Sequence, residues 1–267
     1  MSDSPLLEAM IGAAIEAGRV VDHIYRTGFE IHAKADASPV TTADRAAEEV
    51  ILGHLRRAAP AIAIVAEEQS AAGRTPASAQ EFFLVDPLDG TKEFVARRGE
   101  FTINIAWVRA GSPVLGVVYA PANRSLFAGD VSAGRAFRSF QDPQARPSSA
   151  RELIRVRTVP ATGITAVASR SHRTAETNSY LARYHVAELV SVGSSLKFCL
   201  VAEGKADLYP RLAPTMEWDT AAGHAVLLAA GGRVYAPDGG PLKYGKPEFR
   251  NPWFVASGPL EPLPLAA

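Results

Sequence analysis

Asp86-Pro87-Leu88-Asp89-Gly90-Thr91 places two carboxylates around a proline at the end of the apolar run Phe82-Phe83-Leu84-Val85. Ending a hydrophobic strand in two like charges is costly, because neighbouring carboxylates raise each other's pKa. A divalent cation removes that cost, since hard oxygen ligands are what magnesium takes. Pro87 stiffens the turn, so Asp86 and Asp89 can converge on one side. Asp, Pro and Gly are also ordinary turn residues, and a bare DPxDG reads equally well as a solvated turn. Two further acidic sites shift the balance. Glu67-Glu68 ends the short apolar run Ala61 to Ala66, and Glu217-Trp218-Asp219-Thr220 opens a helical pattern that runs to Ala230. Alone, Asp219 reads as a helix cap, and a helix N-terminus equally suits a phosphate. Three acidic sites at element ends, each beside hydrophobic structure, read better as one shared metal site.

The elements that must position these carboxylates follow from periodicity. Ser4-Pro5 suits a helix start, and Leu6, Met10, Ala13, Ile15, Val20, Val21 and Ile24 recur at near-helical spacing up to Gly28. Thr41 to Arg57 reads as a second helix with Thr41 and Thr42 as cap types; Thr42 followed by Arg45 is not a capping box. Strand patterns follow over 61–66, 82–85, 101–108, 114–119, 125–127 and 136–140, with Ala110-Gly111-Ser112-Pro113 as a hairpin turn. These predict helices packed on an antiparallel or mixed sheet. The polar, proline-bearing stretch Gln141 to Arg151 reads as the connection between an N-terminal α+β half (1–150) and a C-terminal α/β half (151–267). In the second half, strand patterns over 165–168, 186–192 and 206–209 alternate with helical ones over 175–184, 194–203 and 219–230, as in an α/β layer. The proline-rich tail Pro259 to Ala267 is expected to fray.

Bulk properties narrow the function. The chain has 267 residues, 47% hydrophobic, which is ample for a large core. Its 28 basic and 28 acidic residues cancel, whereas a nucleic-acid binder carries a basic excess for phosphate contacts. A nucleic-acid polymer is therefore not the expected partner, while a small phosphorylated ligand remains open. The single cysteine, Cys199, lies in an apolar run and reads as a buried small hydrophobe. The N-terminus lacks signal-peptide character and no apolar run approaches membrane-spanning length. A cytoplasmic setting, extending to the inner face of the membrane, is the expectation.

Glu67-Glu68, then Asp86 to Thr91, then Trp218-Asp219-Thr220-Ala221-Ala222-Gly223 resemble, in order and spacing, the signature motifs of the inositol monophosphatase superfamily. The resemblance runs over nearly the whole chain. Lys92-Glu93-Phe94 after the DPLDGT motif, Gly99 to Ala106, Gly193 to Cys199 and Ala206 to Arg211 look like the bacterial CysQ-type 3'(2'),5'-bisphosphate nucleotidases within it. The resemblance implies an αβαβα layered sandwich and removal of the 3'-phosphate from adenosine 3',5'-bisphosphate to give AMP. It implies two or three Mg2+ ions, inhibition by lithium, and compatibility with a homodimer. By the same resemblance, Glu67, Asp86 and the Leu88 carbonyl hold one ion, and Asp86, Asp89 and Asp219 a second. Asp44 and Thr91 stand where the family's proton acceptor and motif threonine stand, with the Gly90-Thr91 backbone donating to the scissile phosphate. His172, Ser194, Lys197 and Arg211 fall near the nucleotide. Read without the resemblance, Asp44 is a helix first-turn carboxylate, Lys197 and Arg211 are surface cations, His172 is a loop residue, Lys92 and Glu93 form a local ion pair, and Arg97-Arg98 is a solvated loop edge. An inositol- or sugar-phosphate phosphatase and a non-catalytic phosphometabolite-binding protein stand as the alternative functions.

Overall fold

In chain order, the computed structural model, which describes residues 4–33, 39–76, 80–148 and 150–265, begins with two long helices. Helix α1 (Pro5–Thr27) opens on its proline and stops at Gly28; Leu7, Met10, Ile11, Ala14, Ala17 and Val21 form its buried stripe. Strands β1 (Ile31–Ala33) and β2 (Pro39–Thr41) pair antiparallel and lead into α2 (Thr42–Ala58). The cap of α2 sits one residue before the position that lacked a capping box. Thr41 Oγ1 accepts from Ala43 N at 3.1 Å, and Asp44 Oδ2 accepts from Thr41 N at 2.7 Å, a capping box with Asp in place of Glu.

The chain then builds β3 (Ala63–Ala66), α3 (Glu67–Ala71), β4 (Glu81–Asp89), α4 (Thr91–Val95), β5 (Thr102–Arg109), β6 (Ser112–Ala120), β7 (Ser125–Asp130), β8 (Arg135–Phe140) and β9 (Glu152–Ile154). The strands form one sheet in chain order, with β3 parallel to β4 and every other pair antiparallel. The mixed sheet agrees with the sequence reading. Its last strand, β9, lies just beyond the expected break at 150, so the chain leaves this sheet only after residue 154.

The remainder supplies β10 (Ile164–Ser169), α5 (Ala175–Leu181), β11 (Val186–Val192), α6 (Leu196–Ala202), β12 (Leu208–Arg211), β13 (Thr215–Met216), α7 (Ala221–Ala229), β14 (Arg233–Tyr235), β15 (Arg250–Asn251) and β16 (Phe254–Ser257). A second sheet has the order β11-β10-β12-β16-β14, parallel where β10 meets β11 and β12 and antiparallel around β16. Strands β13 and β15 pair separately. The alternation anticipated from 165 to 230 is present; β13 to β16, of two to four residues each, were not anticipated.

Helices α1 and α2 cover one face of the first sheet, α6 and α7 lie between the sheets, and α5 lies outside the second, which makes the αβαβα sandwich. Helix α7 is apolar on nearly every side, as its place between two sheets requires, and eight of its nine residues are buried. One core joins α1 and α2 to the first sheet through residues such as Met10, Ile51, Phe83 and Tyr119. The other fills the space between the sheets with Phe82, Phe198, Leu227 and Phe254, and buries Cys199 as expected. The tail departs from expectation. Tyr180 Oη donates to Leu263 O at 2.7 Å and Leu263 N donates to Tyr184 Oη at 2.7 Å, so residues up to 265 are tied to α5; 266 and 267 lie outside the described residues. Among the described residues no helix is long and apolar enough to cross a membrane.

Candidate active site

Asp86 and Asp89 are three residues apart on one strand, a spacing that would send their side chains to opposite faces. The register prevents this. Asp86 pairs with Asn104 and Asp89 with Thr102, so three steps on β4 match two on β5, and Pro87-Leu88 form a bulge. Both carboxylates therefore face the same side. Leu88 N donates to Asp86 Oδ1 at 2.9 Å and fixes the bulge. Gly90 follows at φ 92°, and a Cβ there would stand 3.1 Å from Glu100 O, so this turn requires glycine.

Parallel pairing places the next carboxylate. Ala66 is in register with Val85, which brings Glu67, the first residue of α3, beside Asp86. Asp219 arrives from the other half. It lies in the turn between β13 and α7 rather than in the helix, which begins two residues later than the sequence pattern suggested. Its Oδ2 accepts from Met216 N at 2.9 Å, so it closes its own turn instead of capping α7.

The four carboxylates act on one another. Asp86 is held well above the usual carboxylate range by burial, then by Glu67, Asp89 and Asp219. Asp219 is also raised, by burial, then Asp89 and Glu67. Asp89 is raised by burial and moderated by Lys197. Asp86 shares a hydrogen bond with Glu67. Two carboxylates share a hydrogen bond only if one holds a proton, and a cation can take that proton's place. The donor set is all oxygen, which fits a hard divalent ion. Among the described residues, no three His, Cys, Asp or Glu side chains form a ready-made cage, so the carboxylates ring the space and an ion would have to draw them in.

Asp44 lies beneath this ring. It is buried, its Oδ2 accepts from Thr41 N and Oγ1 at 2.7 Å each, and its Oδ1 faces Thr91 Oγ1 at 3.1 Å. The Thr91 hydroxyl also lies 3.2 Å from Leu88 O. Burial pushes the Asp44 carboxyl up to about 6, against the Thr41 bonds that lower it.

A cleft of about 330 Å³ opens above, lined by Glu67, Asp89, Gly90, Thr91, His172, Ser194, Lys197, Arg211 and Asp219 among others. Every sequence-anticipated site residue is thus either on its wall or, for Asp44, Asp86 and Leu88, directly under it. The cleft wall also carries cations. Lys197 and Arg211 are buried, not surface cations. Lys197 Nζ is turned back to Ser194 O and lies 3.4 Å from Val192 O, and burial brings its amine down to about 8 against the pull of Asp89. Arg211 donates to Pro214 O at 2.9 Å, while its Nε is buried without a hydrogen-bond partner, as is Ser194 Oγ. Ser194 precedes α6 with φ 50°, a left-handed conformation for a non-glycine. Trp218 is mostly buried, packs near Phe249 and shows one edge to the cleft. Glu93 forms no ion pair with Lys92; it is buried and accepts from Ser171 Oγ across the cleft. Arg97 and Arg98 are exposed, as a solvated loop edge requires, and the Arg97 guanidinium also stacks over Tyr25 and Phe29, each at 4.8 Å.

The profile of the inositol monophosphatase family matches residues 2–253. The chain belongs to the inositol monophosphatase family. Within it, the chain is 45% identical to the 3'(2'),5'-bisphosphate nucleotidase CysQ of Shigella flexneri over 94% of its length and 99% of that protein's. The crystal structure of CysQ from Bacteroides thetaiotaomicron, a bacterial member of the family, superposes with a TM-score of 0.80 at 41% identity, covering 96% of this chain and 97% of that one. An inositol monophosphatase from Anabaena superposes with a TM-score of 0.72 at 27% identity, covering 94% and 89%. Members of this family generally use divalent metal ions.

Sequence reasoning missed two supports of this family's site. The first is a hydroxyl–amide chain. Ser195 Oγ donates to Asn104 Oδ1 at 2.6 Å and lies 2.9 Å from Thr102 Oγ1, and Asn104 Nδ2 donates to Asp89 Oδ2 at 3.4 Å. Asn104 and Thr102 were visible only as polar positions inside a strand, and that polarity was the signal. The second is Glu48, one turn after Asp44 on α2. Its buried Oε2 accepts from Glu68 N at 2.8 Å and Gln69 N at 3.4 Å, which pins the start of α3 and so the backbone that carries Glu67. Glu48→Gln is expected to weaken divalent-cation affinity about 10- to 100-fold, the usual cost of losing a residue that orients a ligand. Calorimetric titration with Mg2+ checks this, and an unchanged affinity would remove Glu48 from that role.

Proposed function

We propose that this protein is a magnesium-dependent 3'(2'),5'-bisphosphate nucleotidase that converts adenosine 3',5'-bisphosphate and water to AMP and phosphate. The observation that carries the reading is the mixed lining of the cleft: carboxylates that suit metal ions, together with the buried cations Lys197 and Arg211, where Arg211 Nε and Ser194 Oγ are left without partners. Buried donors left unpaired by the protein favour a ligand that supplies acceptors. A substrate with one phosphate for the metal ions and one for the cations meets both. The near-full-length likeness to CysQ supports the same substrate class.

When bound, two or three Mg2+ ions held by Glu67, Asp86, the Leu88 carbonyl, Asp89 and Asp219 supply an acidified water and Lewis-acid stabilisation of phosphoryl charge. The protein's own groups do the rest. Asp44, acting with the Thr91 hydroxyl, receives the proton of the attacking water, a task that suits a carboxylate raised by burial. The Gly90-Thr91 backbone amides donate to the scissile phosphoryl group, which a glycine at φ 92° lets approach closely. Lys197, Arg211 and Ser194 hold the second phosphate, with His172 at the nucleotide edge. The metal motifs of the N-terminal half and the nucleotide contacts of the C-terminal half meet in this cleft. A cytoplasmic setting fits this reading, and a homodimer is compatible with it.

Phosphate release measured across a substrate panel, with and without divalent cation, tests the reading. Adenosine 3',5'-bisphosphate is expected to turn over with a kcat/KM at least about tenfold above that for inositol monophosphate, since a lost charged contact costs at least that much. Release should vanish in chelator. Faster inositol phosphate turnover would defeat the nucleotide assignment, and ligand binding without any phosphate release would defeat catalysis.

A further inference from the structure

The cations of the cleft stand beside residues 191–195, the end of β11 and the turn into α6, which belong to the C-terminal half. What holds that turn is a carboxylate from the other half. Glu100, in the loop after α4, takes a two-pronged bond from Arg170, with Nε to Oε2 at 2.9 Å and Nη2 to Oε1 at 2.8 Å. Its Oε2 also accepts from the backbone N of Gly193 at 2.9 Å. Arg170 in turn donates to Ser191 O at 2.7 Å, so the start and the middle of the 191–195 segment are tied to one carboxylate–guanidinium pair. The fit is close: a Cβ at Gly193 would stand 2.8 Å from Glu100 O and 3.1 Å from Glu93 Cγ.

We infer that Glu100 is a positioning residue for substrate specificity: by anchoring Gly193 and Arg170 it sets the 191–195 turn against the metal-bearing half, and so fixes where Ser194 and Lys197 meet the second phosphate. The inference rests on the reading of the cleft as a bisphosphate site. The left-handed Ser194 supports it, since a non-glycine at φ 50° persists only where its surroundings over-determine it. On one side that constraint is the Glu100–Gly193 bond. On the other, the buried Lys197 amine closes back on the Ser194 carbonyl. A partly exposed ion pair contributes little by itself. A two-pronged pair that also grips a buried backbone N–H fixes geometry, which is the use made of it here.

Glu100→Gln tests this without changing side-chain size. Steady-state kinetics are compared on adenosine 3',5'-bisphosphate and on adenosine 3'-monophosphate, which presents the same scissile bond and no second phosphate. The expected result is a KM for the bisphosphate raised about tenfold, with kcat within about twofold and monophosphate kinetics unchanged. Arg170→Ala, which leaves the Gly193 bond in place, should shift the same KM in the same direction by a smaller factor, and serves if the first variant folds poorly. A merely structural role would lower both substrates' kcat together. That result, or an unchanged bisphosphate KM in both variants while the wild type prefers the bisphosphate, overturns the inference. A wild type that treats the two substrates alike overturns instead the bisphosphate reading on which it rests.

Discussion

Asp89→Asn is expected to lower turnover at least about a thousandfold while the protein stays folded. Asp89 follows the bulge shared with Asp86 and is close enough to Lys197 for each to shift the other's proton affinity. Losing one ligand charge costs several kcal/mol of stabilisation for developing phosphoryl charge, and about 4 kcal/mol is a thousandfold in rate. The fold has no such dependence. Asparagine keeps the side-chain volume and an oxygen to accept from Asn104, and it removes a carboxylate that burial already disfavours. Initial rates at saturating Mg2+, with a thermal melt of the same sample, decide the matter. A folded variant with wild-type rate would exclude Asp89 from the site.

Asp86→Asn is expected to abolish activity and yet raise the melting temperature in chelator. Asp86 is buried, and its three acidic neighbours all push its proton affinity upward. Asparagine retains an acceptor for Leu88 N and sheds the charge. Relief of about 1–2 kcal/mol is typical of an uncompensated buried polar group, and each kcal/mol moves the melting point of a chain this size by roughly 2–4 °C. The pH dependence has a definite sign. Asp86 in the folded chain keeps its proton to higher pH than in the unfolded chain, where the ordinary value of 3.8 holds. The folded form therefore binds more protons above pH ~4, and stability falls as pH rises toward the folded value. The gap between variant and wild type should widen as pH rises above about 4. Burial also holds His224 down at about 3 and Lys197 down at about 8, which tilts stability the opposite way, but both variants share these groups, so they cancel in the difference. Added Mg2+ should reverse the order, stabilising the wild type and not the variant. A variant that melts below the wild type in chelator at pH 8 would show that the acidic ring is not under electrostatic load.

The acidic part of the cleft was legible in the sequence because its residues sit on the strongest local signals. Phe82 to Val85 has to be a strand, Gly90 has to turn, and although one such carboxylate pair suits a plain turn, three acidic sites at element ends do not. Even so, the motif says nothing of the bulge that brings Asp86 and Asp89 to one face; that depends on register with Asn104 and Thr102, which only pairing reveals. Glu48, Ser195 and Glu100 were not legible as functional for the same reason. Each acts on backbone or amide groups 20 to 93 residues away, and no periodicity encodes such partners. The capping box at Thr41 was missed by one register step, with Asp44 serving where Glu was sought. Lys197 and Arg211 looked like surface cations because charge usually signals exposure, yet the cleft buries both.

The enclosure of α7 between the two sheets bears on how the enzyme comes into being. During synthesis Asp219 and the helix behind it emerge late, after the whole first sheet has left the ribosome. Until α7 docks, the inner face of that sheet is open to water and the acidic ring is one member short. On the proposed reading, a partly made chain has a sticky surface and an incomplete metal site, and the docking that hides the surface is also the step that completes the site.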